Sequence, residues 1–219
     1  MSRRGCHGLH LFIALLTFAG AARGQESAPM IVDLSKLPPN LESDFTTWRT
    51  GEGEAAQWAV VADPTAADGS AIAQVSKDRT NYRFPLAVYK SYFGKDVEVS
   101  VRFKTVAGTV DQAGGIAVRL STPDDYYVAR ANALEDNVRF YRVVNGKREQ
   151  LASANAKVEP NQWHTLALTA EGDRFTVSFD GKALLSAQDG TFADSGKVAL
   201  WTKADSVTYF DTISIMPLK

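Results

Sequence analysis

The chain has 219 residues, 45% of them hydrophobic, and its 24 Lys and Arg residues nearly balance 25 Asp and Glu residues. This balance lacks the basic excess of nucleic-acid-binding proteins, so we expect no nucleic-acid partner. One cysteine and three histidines are too few for a disulfide framework or a thiolate zinc site.

The N-terminus has the features of a secretory signal peptide. Arg3 and Arg4 precede the apolar run "LHLFIALLTFAGAA", which ends in small residues. The run is shorter than the roughly 20 apolar residues that span a bilayer, and we predict no membrane span. We interpret residues 1–24 as a signal peptide and expect a secreted or periplasmic protein. Cleavage would leave 21 basic and 25 acidic residues, no cysteine and one histidine, His164.

The next segment, residues 25–54, looks irregular. Pro38, Pro39 and Asn40 interrupt any regular element, and Gly51 and Gly53 come just before the first clear strand. We therefore predict an N-terminal arm over residues 25–54, which leads into a β-sandwich domain over residues 55–219.

From residue 55 onwards, the hydrophobic pattern has a period of two. "DVEVSVRFK" places Val97, Val99, Val101 and Phe103 on one face and polar residues on the other. Turn signals such as Asn145-Gly146 and Asp180-Gly181 join neighbouring segments. No apolar stripe repeats at helical spacing. The sequence predicts an all-β fold, with antiparallel strands in two packed sheets.

The C-terminal half has a recognisable order of strands. "WHTLALTAEGDRFTVSFDGKALLSA" and "GKVALWTKADSVTYFDTISI" contain a Trp-led strand, a strand ending in Asp-Gly, a Gly-led strand and a terminal strand with Phe-Asp. In this the sequence resembles the concanavalin-A-like, laminin-G-like sandwich family. It is most similar to the bacterial secreted branch described as 3-keto-disaccharide hydrolase or family-16 glycoside-hydrolase-like. The resemblance implies a jelly roll, but it leaves the function open, because this fold hosts lectins, adhesive modules and polysaccharidases.

Catalytic carboxylates are the first functional question. The resemblance implies that an active glucanase would carry Glu-x-Asp-x-Glu, or a one-residue-longer variant, on one strand, and this string is absent. The nearest approaches are Asp96 with Glu98, on a polar strand face, and Glu135 with Asp136, in a loop. We assign no catalytic residues and expect no ordinary glucanase activity, but whether the protein is an enzyme stays open.

A structural calcium ion is a second question, because the resemblance implies one between the terminal strand and the N-terminal arm. Asp211 is the matching carboxylate, and Glu42 and Asp44 in "LESDF" could supply further oxygen ligands. The alternative is that Asp211 forms a cap or a salt bridge. The sequence does not decide between them.

The strongest candidate for ligand binding is the segment "DYYVARANALEDNVRFYRVV". If its two strands pair as antiparallel neighbours, alternation brings Arg130, Asn132, Asn137, Arg139 and Tyr141 onto one surface. Planar Arg and Asn groups beside a tyrosine ring suit a hydroxyl-rich ligand. The alternative is a polar sheet face that binds no ligand. If the surface binds a ligand, Arg130→Ala is expected to weaken binding with little change in melting temperature.

Three further residues extend this surface in our interpretation: Arg119, Trp201 and Lys203. We also expect Gly114 and Gly115 to leave room for a ligand or a neighbouring backbone. Three functions follow as hypotheses: a non-catalytic carbohydrate-binding sandwich, a 3-keto-glycoside hydrolase type of enzyme, and a protein-interaction module.

Overall fold

The computed structural model describes Met1, residues 28–34 and residues 41–219, and it confirms the all-β prediction. Apart from Met1, the predicted signal peptide lies outside these residues. Within them, no helix is long and apolar enough to cross a membrane. All strand pairs are antiparallel and form two sheets, which pack on each other as a sandwich.

The first sheet has eight strands, in the order β13-β12-β11-β6-β15-β4-β3, with β1 paired to β15. Its strands are β1 (Met30–Ile31), β3 (Trp58–Ala62), β4 (Ser70–Gln74), β6 (Val97–Ala107), β11 (His164–Glu171), β12 (Arg174–Phe179), β13 (Lys182–Gln188) and β15 (Val207–Pro217).

The second sheet has seven strands, in the order β10-β9-β8-β7-β14-β5-β2. Its strands are β2 (Phe45–Gly51), β5 (Arg83–Tyr89), β7 (Ala113–Thr122), β8 (Asp125–Asn132), β9 (Asn137–Val144), β10 (Lys147–Asn155) and β14 (Lys197–Trp201).

The main core lies between the sheets, where the period-two pattern predicts it. Val97, Val99, Val101 and Phe103 are all buried there, against inward-facing residues of the second sheet. The Asn145-Gly146 and Asp180-Gly181 turns have positive φ at both residues, as the two-residue hairpin requires. Local turn chemistry and alternation therefore account for most of the fold.

The predicted N-terminal arm is partly wrong. Phe45–Gly51 is a regular edge strand that pairs with β5 along its whole length. Phe45 packs on Tyr89, with 5.4 Å between the ring centroids. This segment is short and lies between chain-breaking residues, so its extended conformation comes from pairing and not from a local signal. The sandwich begins before residue 55.

The second sheet curls over its own outer face, the face turned away from the main core. The Tyr82 hydroxyl, next to β5, donates to the carbonyl of Gly146 at 2.8 Å and accepts the backbone N–H of Arg148 at 3.1 Å. Thr50 in β2 donates to the carbonyl of Pro123 and accepts from the Tyr126 hydroxyl at 2.8 Å. Strands far apart in the sheet order therefore meet across this face.

The curl produces a second, smaller apolar cluster on the outer face. Its members come only from the second sheet and are all buried: Phe84, Leu86, Val88, Ala113, Ala117, Leu120, Tyr126, Val128, Tyr141, Val143, Ala199 and Trp201. We call this cluster the aromatic floor. It makes the outer face a hollow and not a flat wet surface.

Gly115 in β7 shows how closely this region is packed. A Cβ atom there would lie 2.7 Å from the carbonyl oxygen of Ala129 and 3.2 Å from the Trp201 ring. Gly114 faces Phe103 instead. From the sequence we expected room beside these glycines for a ligand or a neighbouring backbone. In the structure, the protein itself fills this space.

We predict that Gly115→Ala lowers the free energy of unfolding by roughly 1–3 kcal/mol, because the new methyl group forces the backbone of β8 to move. Denaturant titration measures the effect. Gly190→Ala is the control, since a Cβ at Gly190 meets nothing within 4 Å. Equal stability of the two variants would contradict the prediction.

Candidate functional site

The polar residues singled out in β8 and β9 lie together on the outer face. Arg130 pairs with Arg139 and Asn132 with Asn137 across the two strands. Tyr141, two residues beyond Arg139, faces the same side. The antiparallel pairing and the alternation that the sequence indicates therefore bring all five side chains to one surface.

Arg130 is the centre of this group and is almost fully buried, with 2% of its surface exposed. Its Nη1 donates to Asn137 Oδ1 at 2.5 Å, and its Nη2 donates to Glu135 Oε2 at 2.8 Å and to the Tyr141 hydroxyl at 3.3 Å. A buried charge needs such partners. Arg130 therefore supports the surface from below and is not free to hold a ligand.

Asn132 belongs to a second, adjoining network. Its Nδ2 donates to Asp111 Oδ1 at 2.6 Å, while Asp111 Oδ2 lies 2.6 Å from Lys203 Nζ. Asn132 Oδ1 accepts the backbone N–H groups of Leu134 and Glu135, which fixes the β8–β9 loop. Lys203 thus lies beside this surface, and its charge is neutralised by Asp111.

Trp201 lies below the polar layer. It is fully buried, stacks on Phe84 with 5.3 Å between ring centroids, and donates from Nε1 to the Tyr126 hydroxyl at 3.3 Å. A ring in this position cannot stack on a sugar. Its expected role as a ligand contact is corrected to that of a structural part of the aromatic floor.

Arg148 was not identified from the sequence, yet it covers this floor. Its guanidinium lies 4.3 Å from the Tyr141 ring centroid, 4.9 Å from Phe84 and 5.9 Å from Trp201. Its Nη1 is buried without a hydrogen-bond partner. Burial lowers the pKa of this group. The β9–β10 register, which follows from the Asn145-Gly146 turn, places Arg148 opposite Val143, and that alternation could have revealed it.

We use the name arginine cluster for the residues joined by these contacts: Arg130, Arg139, Arg148, Glu135, Asn137 and Tyr141. Arg139 is its most accessible cation, with one-third of its side chain exposed. Its Nη1 lies 3.3 Å from Glu135 Oε2 and 3.5 Å from the Tyr141 hydroxyl, and its Nε is buried without a partner. The cluster therefore opens to solvent at Arg139 and Glu135.

Tyr141 has an unusual electrostatic environment. Burial of the phenol opposes its ionisation, but the charge of Arg130, the hydrogen bond from Arg139 and the charge of Arg148 favour it. The result is a pKa below the ordinary value of 10.0. The pKa of Glu135 is also lowered: burial acts against the charged form, and hydrogen bonding and charge from Arg130 outweigh it.

Arg119 does not belong to this surface, and its assignment there is wrong. A bulge in β7 gives it a positive φ of 52°, and the side chain turns away to the end of the sandwich. There it lies 3.1 Å from Asp96 and donates to the carbonyls of Lys95 and Phe192. Alternation alone could not show this, because the bulge shifts the register of β7 against its neighbours.

The expected calcium site is also not assembled. Asp211 is buried, and its Oδ2 lies 3.4 Å from Arg102 Nη1 and accepts the Ala67 N–H at 2.9 Å. Glu42 and Asp44 do not join it. In the part of the chain that the structure describes, no group of three or more His, Cys, Asp or Glu residues could hold a metal ion. Asp211 forms a salt bridge with Arg102 in the structure.

Comparison with known proteins places the chain in a family. The family described as the 3-keto-alpha-glucoside-1,2-lyase-like domain matches residues 40–216. The chain belongs to this family. The match confirms the resemblance found in the sequence, and it begins before residue 45, as the strand β2 requires.

Members of other groups share parts of the sequence or the fold. A levanase of Bacillus subtilis (strain 168) is 31% identical over 68 residues, which make up 31% of this chain but only 10% of the levanase. The carbohydrate-binding module CBM66 from Bacillus subtilis has a TM-score of 0.64 at 21% identity, covering 79% of this chain and 96% of that one. A family-16 endo-glucanase from Bacteroides ovatus has a TM-score of 0.61 at 13% identity, covering 85% and 99%. At these identities the two structures show a common fold.

We predict that Arg130→Ala lowers the free energy of unfolding by roughly 1–3 kcal/mol, because Asn137 and Tyr141 lose a buried partner. This replaces the expectation, drawn from the sequence, that the melting temperature would hardly change. Thermal and denaturant unfolding test it, with Arg174→Ala as the exposed control from β12. A variant as stable as this control would contradict the prediction.

We also predict that Tyr141 loses its proton below pH 10, whereas Tyr126, whose pKa burial raises to about 12, keeps its own. A lowered pKa in the folded state means that ionisation of Tyr141 adds stability as the pH rises toward 10 and that this gain is lost as the pH falls. Absorbance at the tyrosinate band in wild type and Tyr141→Phe measures the titration. The same early titration in both proteins would rule the assignment out.

Proposed function

We propose that the protein is an exported, non-catalytic carbohydrate-binding sandwich that holds its ligand at the arginine cluster. One observation carries the proposal: Arg139 and Arg148 bring unused hydrogen-bond donors to a hollow with an apolar floor. Sugars offer this surface both hydroxyl groups and apolar ring faces. Export is supported by the signal-peptide pattern of residues 1–24.

The chemistry of the cluster suits hydroxyl groups. Guanidinium groups donate in pairs, and the Glu135 carboxylate and Tyr141 hydroxyl accept. Arg130 and the Asp111–Lys203 pair hold these groups in place beforehand, so little side-chain entropy is lost when a ligand binds. The names of the levanase and of the CBM66 module, both of which refer to carbohydrates, support the same class of ligand.

The state of the carboxylates supports binding without hydrolysis. Glycoside hydrolysis usually needs one carboxyl group that is protonated near neutral pH and a second that is ionised. Glu135 is paired with Arg130 and Arg139, and its lowered pKa keeps it ionised. Glu135 is therefore not suited to act as a general acid. Asp111 is paired with Lys203.

The enzyme alternative has one specific observation in its favour. Elimination from a 3-keto-glucoside, the reaction that the family description names, removes the proton from C2 while the bond from C1 to the leaving group breaks. The phenolate form of Tyr141, which the lowered pKa of this phenol favours, could accept that proton and become the neutral phenol. This alternative is a lyase or hydrolase that acts at the same cluster.

We expect oligosaccharide binding by the wild type to weaken by about 1–3 kcal/mol in Arg139→Ala, because partner groups on the sugar lose their donor. Isothermal titration calorimetry against a panel of oligosaccharides measures the affinities. Arg174→Ala, which removes an exposed arginine from the other sheet, is the control. Unchanged melting temperatures would show that the effect arises at the ligand site.

The same proteins, incubated with laminarin, lichenan and a 3-keto-glucoside, test for catalysis. We expect no product. Product from the keto sugar that disappears in Tyr141→Phe, while binding remains, would replace the proposal by the enzyme alternative. A blank oligosaccharide panel, together with a stable protein partner in pull-downs, would favour the interaction module instead.

A further inference from the structure

The charges around the arginine cluster do not balance. Four cations face this hollow, namely Arg130, Arg139, Arg148 and Lys203, against two carboxylates, Asp111 and Glu135. Both carboxylates are already committed, Asp111 to Lys203 and Glu135 to Arg130 and Arg139. Among these six described residues, the cations therefore outnumber the carboxylates by two.

Arg148 is the cation without a carboxylate. Among the residues that the structure describes, no Asp or Glu oxygen forms an ion pair with its guanidinium, in contrast to Arg130 and Arg139. It is held in place by its backbone, which donates to Tyr82, and by stacking above Tyr141. Stacking on aromatic rings compensates part of the desolvation of a cation, but it uses none of the N–H donors.

We infer that the hollow binds an anionic sugar, whose carboxylate or sulfate ester is held by Arg148 with help from Arg139. This inference rests on the proposed carbohydrate-binding function and names its ligand class. One carboxylate or sulfate ester lowers this excess by one charge, and its oxygens would offer acceptors to Nη1 of Arg148 and Nε of Arg139, which are buried and otherwise unpaired. The remaining hydroxyl groups of the sugar can donate to the Glu135 carboxylate, at the more exposed edge of the cluster.

The experiment compares four probes on the full chain: trigalacturonate, its methyl ester, a sulfated galactan oligosaccharide and a neutral galactan oligosaccharide. The esterified uronate lacks the negative charges of the free one and differs from it otherwise only by the ester methyl groups. We expect at least about tenfold tighter binding of an anionic probe than of its neutral counterpart, since charge-assisted bonds are the stronger ones. The preference should decrease at high salt, because exposed parts of the site are screened. The anionic probe that binds identifies carboxylate or sulfate as the source.

Arg148→Met separates charge from packing, since methionine keeps an apolar stem over the aromatic floor. We expect it to lose about tenfold or more in affinity for the anionic probe, to lose clearly less for the neutral probe, and to keep its melting temperature. Arg148→Lys keeps the positive charge but loses the planar guanidinium and its paired donors. Its affinity for the anionic probe should lie between those of the wild type and Arg148→Met. Arg174→Met, the same substitution in β12 of the other sheet, should behave as wild type.

The outcomes distinguish this inference from the function on which it rests. Equal binding of neutral and anionic probes, or equal losses for both in Arg148→Met, would overturn the anionic ligand and leave carbohydrate binding intact. If no oligosaccharide of any charge bound, the anionic-ligand inference and the proposed carbohydrate-binding function would both be contradicted.

Discussion

The buried charge of Arg130 is the constraint on which the outer face depends. Its guanidinium is almost out of reach of water, so its donors must be matched by protein groups. Asn137, Glu135 and Tyr141 supply the acceptors, and each is thereby fixed in position. This requirement sets the geometry of the outer face, because the more exposed side chains are held by the buried residue beneath them.

The same buried cation also determines how the acidic groups behave. Tyr141 and Glu135 would both resist ionisation if burial acted alone, yet the arginines around them reverse the balance. The hollow therefore stabilises negative charge on its own side chains. Such surroundings do not keep a carboxylic acid protonated, and they are the electrostatic basis of the binding function that we propose.

Much of this arrangement follows from local pattern. Alternation in "DYYVARAN" and "NVRFYRVV", with turn signals between strands, suffices to predict the sandwich and to bring Arg130, Asn132 and Tyr141 to one face. The errors have a common cause, since they depend on contacts distant in sequence. A bulge redirects Arg119, pairing to β5 orders Phe45–Gly51, and the curl of the sheet buries Trp201. Period-two reasoning says which side of a strand a residue faces, but not whether that side is covered.

The Tyr82 hydroxyl, described above as part of the curl, has a consequence for self-association. β10 is an edge strand, and the backbone groups of such a strand can recruit a strand from another molecule. Tyr82 occupies the N–H of Arg148 and the carbonyl of Gly146, at the start of that edge. The Tyr82 side chain thus occupies the backbone groups to which a strand of a second chain would first pair. It thereby protects the fold against aggregation by edge-to-edge pairing.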